Sequence, residues 1–468
     1  MLRKNVYFLS MLVFTFVWSA RIVAASEYPL TFHDDQGNEI MVSAPATRII
    51  SVYSAHTENL FSLGLDQEVL GVGTADIYPP RALTRPRYDY KSDPEKVIAA
   101  EPDLVLIRPF IQRSRPEFVQ ALHKAGLRVV SLYPESFDDF DEYIRKLAIL
   151  TGTQENAEVL LHNFYQDLDE IRTKAAAITP KVTVYFESVE KDYKTVTPDS
   201  TPARAIEAAG GLNIASDATP VNEGSSIAVY GIERLLSRAN DIDVYVSQRG
   251  VMNAGGSVRS ISARPGFYAI KAVAEKRIYE INEKIISSPT FRHVKGVQEL
   301  ARMFYPQVLD DLARFNINQP LSRAQMAEIV VRFQHKSIFV PTSNYYRRTP
   351  KGHIYGTFQD VSVEHPLFDM IETAVVSGYM EYETRNDQDW FLPKEPVTRE
   401  EFAKILFMLR DPEKTTQQIN IKDLDKAAQP GIVQVIVNNG MMACEEGYFH
   451  PTRAVTGKEA VDILEGVR

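Results

Sequence analysis

Short apolar runs alternate with helix-like patterns along most of the first 306 residues. The apolar run at 48–52 predicts a buried strand, and the pattern at 57–64 predicts a short helix that ends at a glycine. Repeated alternation of this kind is typical of a parallel sheet with helices on both faces. The sequence therefore predicts an α/β fold with two Rossmann-like lobes, over residues 28–150 and 181–306.

A different pattern separates the two lobes. Apolar residues recur every three or four positions from 154 to 178, including Leu161, Phe164 and Leu168. Twenty-five residues of helix would reach roughly 37 Å at 1.5 Å per residue, about the width of a small domain. We expect one long backbone helix at 154–178 that joins the lobes and leaves a cleft between them.

Ligands of parallel α/β sheets bind beyond the carboxyl ends of the strands, so residues just after the predicted strands are candidates for the cleft. Aromatic faces suit flat parts of a ligand, and guanidinium groups suit carboxylate, phosphate or catecholate groups. Packing, helix capping or a solvated surface would equally explain these residues. The candidate ligand-binding residues are Tyr53, His56, Tyr78, Arg108, Tyr193, Arg249, Phe291 and Arg292.

Composition excludes several classes of protein. The 52 Lys and Arg against 61 Asp and Glu give a net charge of −9, which argues against nucleic acid as a partner. The single cysteine, Cys444, excludes a disulfide framework, and scattered histidines disfavour a bare zinc site. Common catalytic motifs such as Gly-x-Ser-x-Gly and His-Glu-x-x-His are missing from the sequence. We expect a protein that is not an enzyme and that carries no cofactor or metal of its own.

The first 25 residues have the features of a signal peptide. Arg3 and Lys4 precede an apolar run at 6–18, and small residues follow at 23–26. No cysteine follows the run, so we expect a periplasmic protein that is not a lipoprotein. A retained N-terminal anchor is the alternative.

Five motifs in order carry a family resemblance. These are the stretch 48–64, the turn Tyr78-Pro79-Pro80, the Glu-Pro-Asp-Leu-Val-containing stretch 94–106, the Gly-Gly-Leu-Asn segment within 203–215, and the stretch 267–281. Together they resemble the helical-backbone periplasmic binding proteins, the receptors of ABC importers for cobalamin, ferric siderophores and haem.

The resemblance implies partners and roles. An ABC permease with its ATPase would receive the ligand, a corrinoid or an iron complex such as a ferric siderophore or haem. Glu95 and Glu233 match the glutamates that dock on permease arginines, although both are also ordinary first-turn glutamates that a helix dipole favours. Tyr53 or His56 could ligate iron if the ligand is haem.

The tail, residues 307–468, contains a repeat. The stretches 315–325, 391–401 and 449–459 align, and each contains a Ser or Thr that is followed three residues later by Gln or Glu, as in a capping box. The tail resembles S-layer homology repeats, which implies a small all-α domain that binds cell-wall polymer. The first copy lacks a leading helix, and the third has Gly457 where the family has an arginine. The alternative for the tail is that it packs on the receptor or on a partner. The alternative for the whole chain is a structural or wall-binding protein of the cell envelope with a degenerate receptor domain.

Overall fold

A computed structural model describes residues 28–92, 94–134, 136–309, 312–315, 317–334, 336, 338–339, 345–348, 354–413 and 418–466. The predicted signal peptide, residues 1–25, lies outside the described residues. Among the described helices, none combines the length and the apolar character that a membrane crossing requires.

A hairpin of β1 (Leu30–His33) and β2 (Glu39–Val42) precedes the first sheet. This sheet has five parallel strands in the order β5-β4-β3-β6-β7. The apolar runs form its strands, and β6 is buried along its full length, as expected for a sheet covered on both faces. The elements are β3 (Ile49–Ser51), α1 (Ser54–Ser62), β4 (Val69–Gly73), β5 (Arg87–Tyr88), α2 (Glu95–Ala99), β6 (Leu104–Ile107), α3 (Pro109–Ser114), α4 (Pro116–Lys124), β7 (Val129–Ser131) and α5 (Phe140–Thr151).

One continuous helix, α6 (Gln154–Ala176), connects the two sheets. Its 23 residues give a length of about 34 Å at 1.5 Å per residue. Leu161, Phe164 and Leu168 are buried along one side of α6, in a hydrophobic core that also contains strand residues of both sheets. The helix is therefore a packed part of both halves of the molecule rather than a free linker.

The second sheet has four parallel strands in the order β10-β8-β13-β14, with a three-stranded antiparallel sheet, β11-β12-β9, beside it. Near the end of this region, α12 (His293–Phe304) packs on α6 and on α7 (Thr201–Ala208). The elements are β8 (Thr183–Glu187), β9 (Thr195–Val196), α7 (Thr201–Ala208), β10 (Leu212–Asn213), β11 (Thr219–Pro220), β12 (Ile227–Val229), α8 (Ile232–Ser237), β13 (Val244–Arg249), α9 (Val258–Ser262), α10 (Lys271–Ala274), β14 (Ile278–Asn282), α11 (Glu283–Ile286), α12 (His293–Phe304) and α13 (Pro306–Leu309).

The tail is mainly helical but not all-α. Two short antiparallel strand pairs accompany its helices, so the expectation of an all-α domain is incomplete. The elements are α14 (Arg323–Phe333), β15 (Arg347–Arg348), β16 (Ile354–Tyr355), α15 (Phe368–Val376), β17 (Glu383–Arg385), β18 (Gln388–Trp390), α16 (Arg399–Arg410), α17 (Pro430–Asn438) and α18 (Gly457–Gly466).

The three repeats of the tail close into a ring. The Leu321 amide donates to Val455, the Val455 amide to Val397, and the Val397 amide to Leu321, each at 2.9 Å. α14 packs on α15, α16 packs on α17, and α18 packs on the turn Leu312–Phe315. That turn occupies the place of the leading helix that the first repeat lacks. Three similar sequences thus bury one shared core, which no single repeat could form.

Candidate functional site

A cleft lies between the two parallel sheets, at the carboxyl ends of their strands. Its cavity volume is about 430 Å³. Residues that follow β3, β4, β5, β6 and β7 line one wall, and residues that follow β8, β13 and β14 line the other. This is the edge at which parallel sheets bind ligands.

The first wall is aromatic. Tyr53, Tyr88, Tyr90 and Tyr133 line it, and the Cζ atom of Arg108 lies 4.9 Å from the centre of the Tyr53 ring. The Tyr53 and Tyr133 rings are 6.1 Å apart. Burial raises the pKa of Tyr53 well above its usual value, and neighbouring Tyr133 adds to that shift. Tyr53 is therefore a neutral hydroxyl and a flat apolar face at neutral pH.

Asp76 is a buried carboxyl in the same wall, just after β4. Its Oδ2 atom accepts hydrogen bonds from the Thr57 hydroxyl at 2.5 Å and from the Gly73 amide at 2.9 Å. Burial raises the pKa of Asp76 to about 6, although these hydrogen bonds and the charge of Arg87 act in the opposite direction. The two hydrogen bonds hold the turn 73–76 at the edge of the cleft.

The second wall is rich in hydroxyl and amide groups. Gln248 donates to the Ser188 carbonyl at 2.9 Å and accepts from the Ser287 hydroxyl at 2.7 Å, which fixes its side chain. Val251 is 90% exposed and Met252 is 49% exposed at the mouth of the cleft. This wall offers hydrogen bonds at its base and apolar side chains at its rim.

His56, a predicted ligand-binding residue, lies in the core instead of the cleft. It is fully buried, its Nε2 donates to the Ile107 carbonyl at 3.0 Å, and its Nδ1 accepts from the Tyr143 hydroxyl at 2.7 Å. Burial lowers the pKa of His56 to about 4. Both ring nitrogens are thus occupied, so the expectation that His56 contacts a ligand or ligates haem iron is wrong for this conformation.

Tyr78 and Arg292 lie beside the cleft and face the tail. Arg292 forms a bidentate ion pair with Glu58, with Nε and Nη2 each 2.7 Å from a carboxylate oxygen. The Tyr78 ring covers the guanidinium, with its centre 3.5 Å from Cζ. Arg292 is therefore neutralised by a residue of the first lobe, which sequence reasoning could not pair with it across 234 positions.

The other three ligand candidates have structural partners. The Tyr193 ring packs against Phe267, at 5.7 Å between ring centres. Arg249 pairs with Glu280 at 3.2 Å and donates to the Ala254 carbonyl, so it fastens the loop that follows β13. Phe291 packs in the core against Phe140 and Phe164. None of the three is among the described residues that line the cleft. Of the eight candidates, only Tyr53 and Arg108 line it.

The two docking candidates lie on the surface. Glu95 is exposed in the first turn of α2, and Glu233 is exposed in the first turn of α8. α2 lies between strands of the first parallel sheet and α8 between strands of the second, and both positions are compatible with contact to another protein.

Sequence reasoning missed several residues of the cleft: Asp76, Tyr88, Tyr90 and Lys284. Asp76 and Lys284 come shortly after strands that the apolar runs predicted. Tyr88 and Tyr90 lie in or just after a very short strand. Asp76 lies three residues beyond the end of β4, and Tyr88 ends a strand of only two residues, too short for an apolar pattern to show. The rule that ligands bind after strands would have found them once the strand ends were known.

The tail contains a separate groove of about 630 Å³ along its second repeat, lined among others by Arg323, Tyr382 and Lys404. Arg323 donates to the Phe391 carbonyl at 2.7 Å and pairs with Glu401. The equivalent Arg399 is buried, and it bonds two carbonyl oxygens and Glu459. These guanidinium groups cross-link successive repeats. The described residues contain no cluster of three or more His, Cys, Asp or Glu that could hold a metal ion.

Comparisons with known proteins agree with this architecture. The lipoprotein YvrC of Bacillus subtilis, described as an uncharacterized ABC transporter substrate-binding protein, is 25% identical over 289 residues, which is 61% of this chain and 88% of that protein. The vitamin B12-binding protein of Vibrio cholerae is 25% identical over 259 residues, 55% of this chain and 88% of that protein. A Staphylococcus epidermidis protein described as a possible iron-binding (periplasmic solute-binding) protein shares the fold, with a TM-score of 0.50 at 24% identity over 56% of this chain and all of that one.

The family model described as periplasmic binding protein matches residues 49–285, just over half of the chain. That span begins at β3 and ends within α11, so it contains both parallel sheets, α6 and the cleft between the sheets. The chain belongs to the periplasmic binding protein family.

Proposed function

We propose that this protein is the extracytoplasmic receptor of an ABC importer, and that it captures a metal chelate in the cleft and delivers it to the permease and its ATPase. The observation that carries the proposal is the cleft itself. Two sheets present their carboxyl ends to one cavity of about 430 Å³, a size typical of pockets that hold organic ligands and far larger than a bare ion needs. The metal arrives within the ligand, so the protein acts as a carrier with no chemistry or cofactor of its own.

The charges of the cleft favour a neutral chelate. Arg108 and Lys284 line the cleft together with two carboxyls, Asp76 and Glu283, so its formal charges balance. A ferric catecholate or citrate complex carries several negative charges and would need an excess of cations. A corrinoid has a flat ring edged with amides, and it matches a tyrosine wall opposite a wall of hydroxyl and amide groups. The vitamin B12-binding relatives point to the same class.

Haem is the second ligand candidate, because Tyr53 lines the cleft and a tyrosine oxygen can ligate haem iron. The raised pKa of Tyr53 works against this role, because an iron ligand must lose its proton.

Titration of the full mature chain with cyanocobalamin, hemin and ferric enterobactin, followed by tyrosine fluorescence and calorimetry, tests the proposal. We expect binding of cobalamin in preference to the anionic catecholate. Replacing Arg108 by Met removes a charged hydrogen-bond donor, a loss of about 1.5–3 kcal/mol that weakens binding about 10- to 150-fold.

Arg172→Met, on the exposed side of α6, is the matched control and should bind like the wild type. If none of the three chelates binds, the receptor function is wrong. If ferric enterobactin binds best, the assignment to corrinoids is wrong and the receptor function stands.

Attachment of the tail to cell-wall polymer is a second candidate function, supported by the groove along the second repeat. Arg323 and Arg399 are already bonded within the tail, which favours a structural role for these residues. Sedimentation of the full chain with purified sacculi decides between the two, since a wall-binding tail carries the protein into the pellet and a structural one leaves it in solution.

A further inference from the structure

Beside the cleft, the two lobes touch directly through a buried ion pair and a hydrogen bond. Glu58 of α1 and Arg292 of the second lobe form the bidentate pair described above, and their side chains are 6% and 17% exposed. Next to it, the Asn59 amide group donates to the Pro289 carbonyl at 2.9 Å. Any opening of the lobes on this side must break both interactions.

The tail covers this contact. A small pocket around the pair is lined on the lobe side by Glu58, Tyr78 and Arg292, and on the tail side by Phe339, Tyr346 and Asp369. Asp369 and Arg292 line the same pocket, and the charge of Arg292 opposes the burial that raises the pKa of Asp369. The tail thus adds both apolar cover and a second carboxyl to the lobe contact.

These tail residues are held from behind by the tail itself. The Phe339 amide donates to the Thr373 hydroxyl of α15 at 2.9 Å, and the Tyr346 ring stacks on Phe368 of the same helix. The tail also reaches the first lobe at a second point, since Leu83 packs against the hydrophobic core of the tail.

Exclusion of water decides how strong the Glu58–Arg292 pair is. Water screens an exposed ion pair, so its partners separate easily, whereas separation of a buried pair leaves uncompensated charges in a dry environment. The Tyr78 ring covers one face of the Arg292 guanidinium. Phe339 and Tyr346 line the tail side of the pocket around the pair and add apolar cover there.

We propose that the tail braces the two lobes: Phe339, Tyr346 and Asp369 seal the Glu58–Arg292 contact and hold the lobes at a fixed angle. Whatever the tail binds or docks on therefore alters the freedom of the cleft to open. This effect on ligand exchange rests on the proposed receptor function, but the brace itself does not.

Electron–electron distance measurements between spin labels test the brace in the full chain without any ligand. Labels at Lys124→Cys and Glu275→Cys, both exposed and on different lobes, report the angle between the lobes in a Cys444→Ser background. The combined change Phe339→Ala and Tyr346→Ala should broaden the distance distribution and shift it, compared with the labelled parent.

Two further variants make the test decisive. Glu58→Gln breaks the pair directly and should broaden the distribution in the same way, while Tyr448→Ala removes a 40% exposed aromatic elsewhere in the tail and should leave it unchanged. The brace is overturned if the Phe339 and Tyr346 variant keeps the narrow distribution of the parent, whatever Glu58→Gln does. It is equally overturned if Tyr448→Ala broadens the distribution to the same extent. Failure of all chelates to bind would leave this result untouched.

Discussion

The buried carboxyl of Asp76 makes the stability of the first sheet depend on pH, and Asp76→Asn should remove this dependence. Asparagine is neutral at every pH. Its side-chain oxygen can accept the hydrogen bonds from Thr57 and Gly73 that Oδ2 accepts in the wild type, since both go to the same atom. The substitution therefore removes the titration while it keeps the local geometry.

The magnitude follows from the pKa values. The pKa of Asp76 is about 6 in the folded protein against a usual 3.8, so the folded state holds the proton more tightly than the unfolded chain. A raised folded pKa gives stability that is fully present below about pH 4 and is lost as the pH rises through 6. At 1.36 kcal/mol per pKa unit the total is about 3 kcal/mol, and about half of this is lost between pH 5 and pH 7.5.

Hydrogen exchange of peptides that contain β3 and β4, corrected for intrinsic rates at each pH, measures the opening free energy of this sheet. Buried His56, whose pKa is lowered to about 4, contributes a slope of opposite sign. The difference in opening free energy between wild type and Asp76→Asn reports the contribution of this carboxyl alone. This difference should change by about 1.5 kcal/mol from pH 5 to pH 7.5.

Asp66→Asn, which removes a partly exposed carboxylate paired with Arg81 at 2.9 Å, controls for loss of one charge in the same lobe. The reasoning is refuted if the difference in opening free energy between wild type and Asp76→Asn stays constant with pH. It is also refuted if Asp66→Asn shows the same pH-dependent change.

Two further predictions concern the tail and the permease. A Cβ atom at Gly457 would lie 1.8 Å from the carbonyl oxygen of Phe315, so Gly457→Ala should destabilise the tail by at least about 1–3 kcal/mol in urea unfolding. The control is Gly466→Ala, which should leave the stability of the tail unchanged because a Cβ atom there meets nothing within 4 Å. Equal stability of the two variants would contradict the close packing at Gly457. Reversal of Glu95 and Glu233 to lysine should abolish uptake of the ligand by cells while the affinity of the purified protein stays unchanged. Normal uptake by that double variant excludes the docking role.

The α/β alternation was predictable because strands of a parallel sheet are buried on both faces and so appear as short, continuous apolar runs. The position of α6 was predictable for the same kind of reason, since a helix that packs along one side repeats its apolar residues every three or four positions. The very short strands β5, β9 and β10 escaped prediction because two residues carry no periodicity.

The candidate site was predictable only in part. Tyr53 and Arg108 lie at the ends of strands that the apolar runs predicted, and they line the cleft because parallel strands bring their carboxyl ends to one edge. The prediction that His56 contacts a ligand was wrong because His56 lies about one helical turn after Tyr53. At that position the helix directs the side chain into the core, toward Tyr143. The prediction that Arg292 binds a ligand did not foresee its ion pair with Glu58, because Glu58 is 234 positions away along the chain.

The sequence by itself determined the local features: which segments become strands and helices, the order of the family motifs, and the threefold repeat of the tail. These depend on the spacing of apolar residues and on capping boxes, which act within a few positions along the chain. Only the tertiary structure decided which polar groups neutralise one another and which remain for a ligand. The Glu58–Arg292 pair, the buried Asp76 and the cover of tail residues over the lobe contact all join distant segments. Their energies depend on burial and on distance in space, neither of which is written in the spacing of residues along the chain.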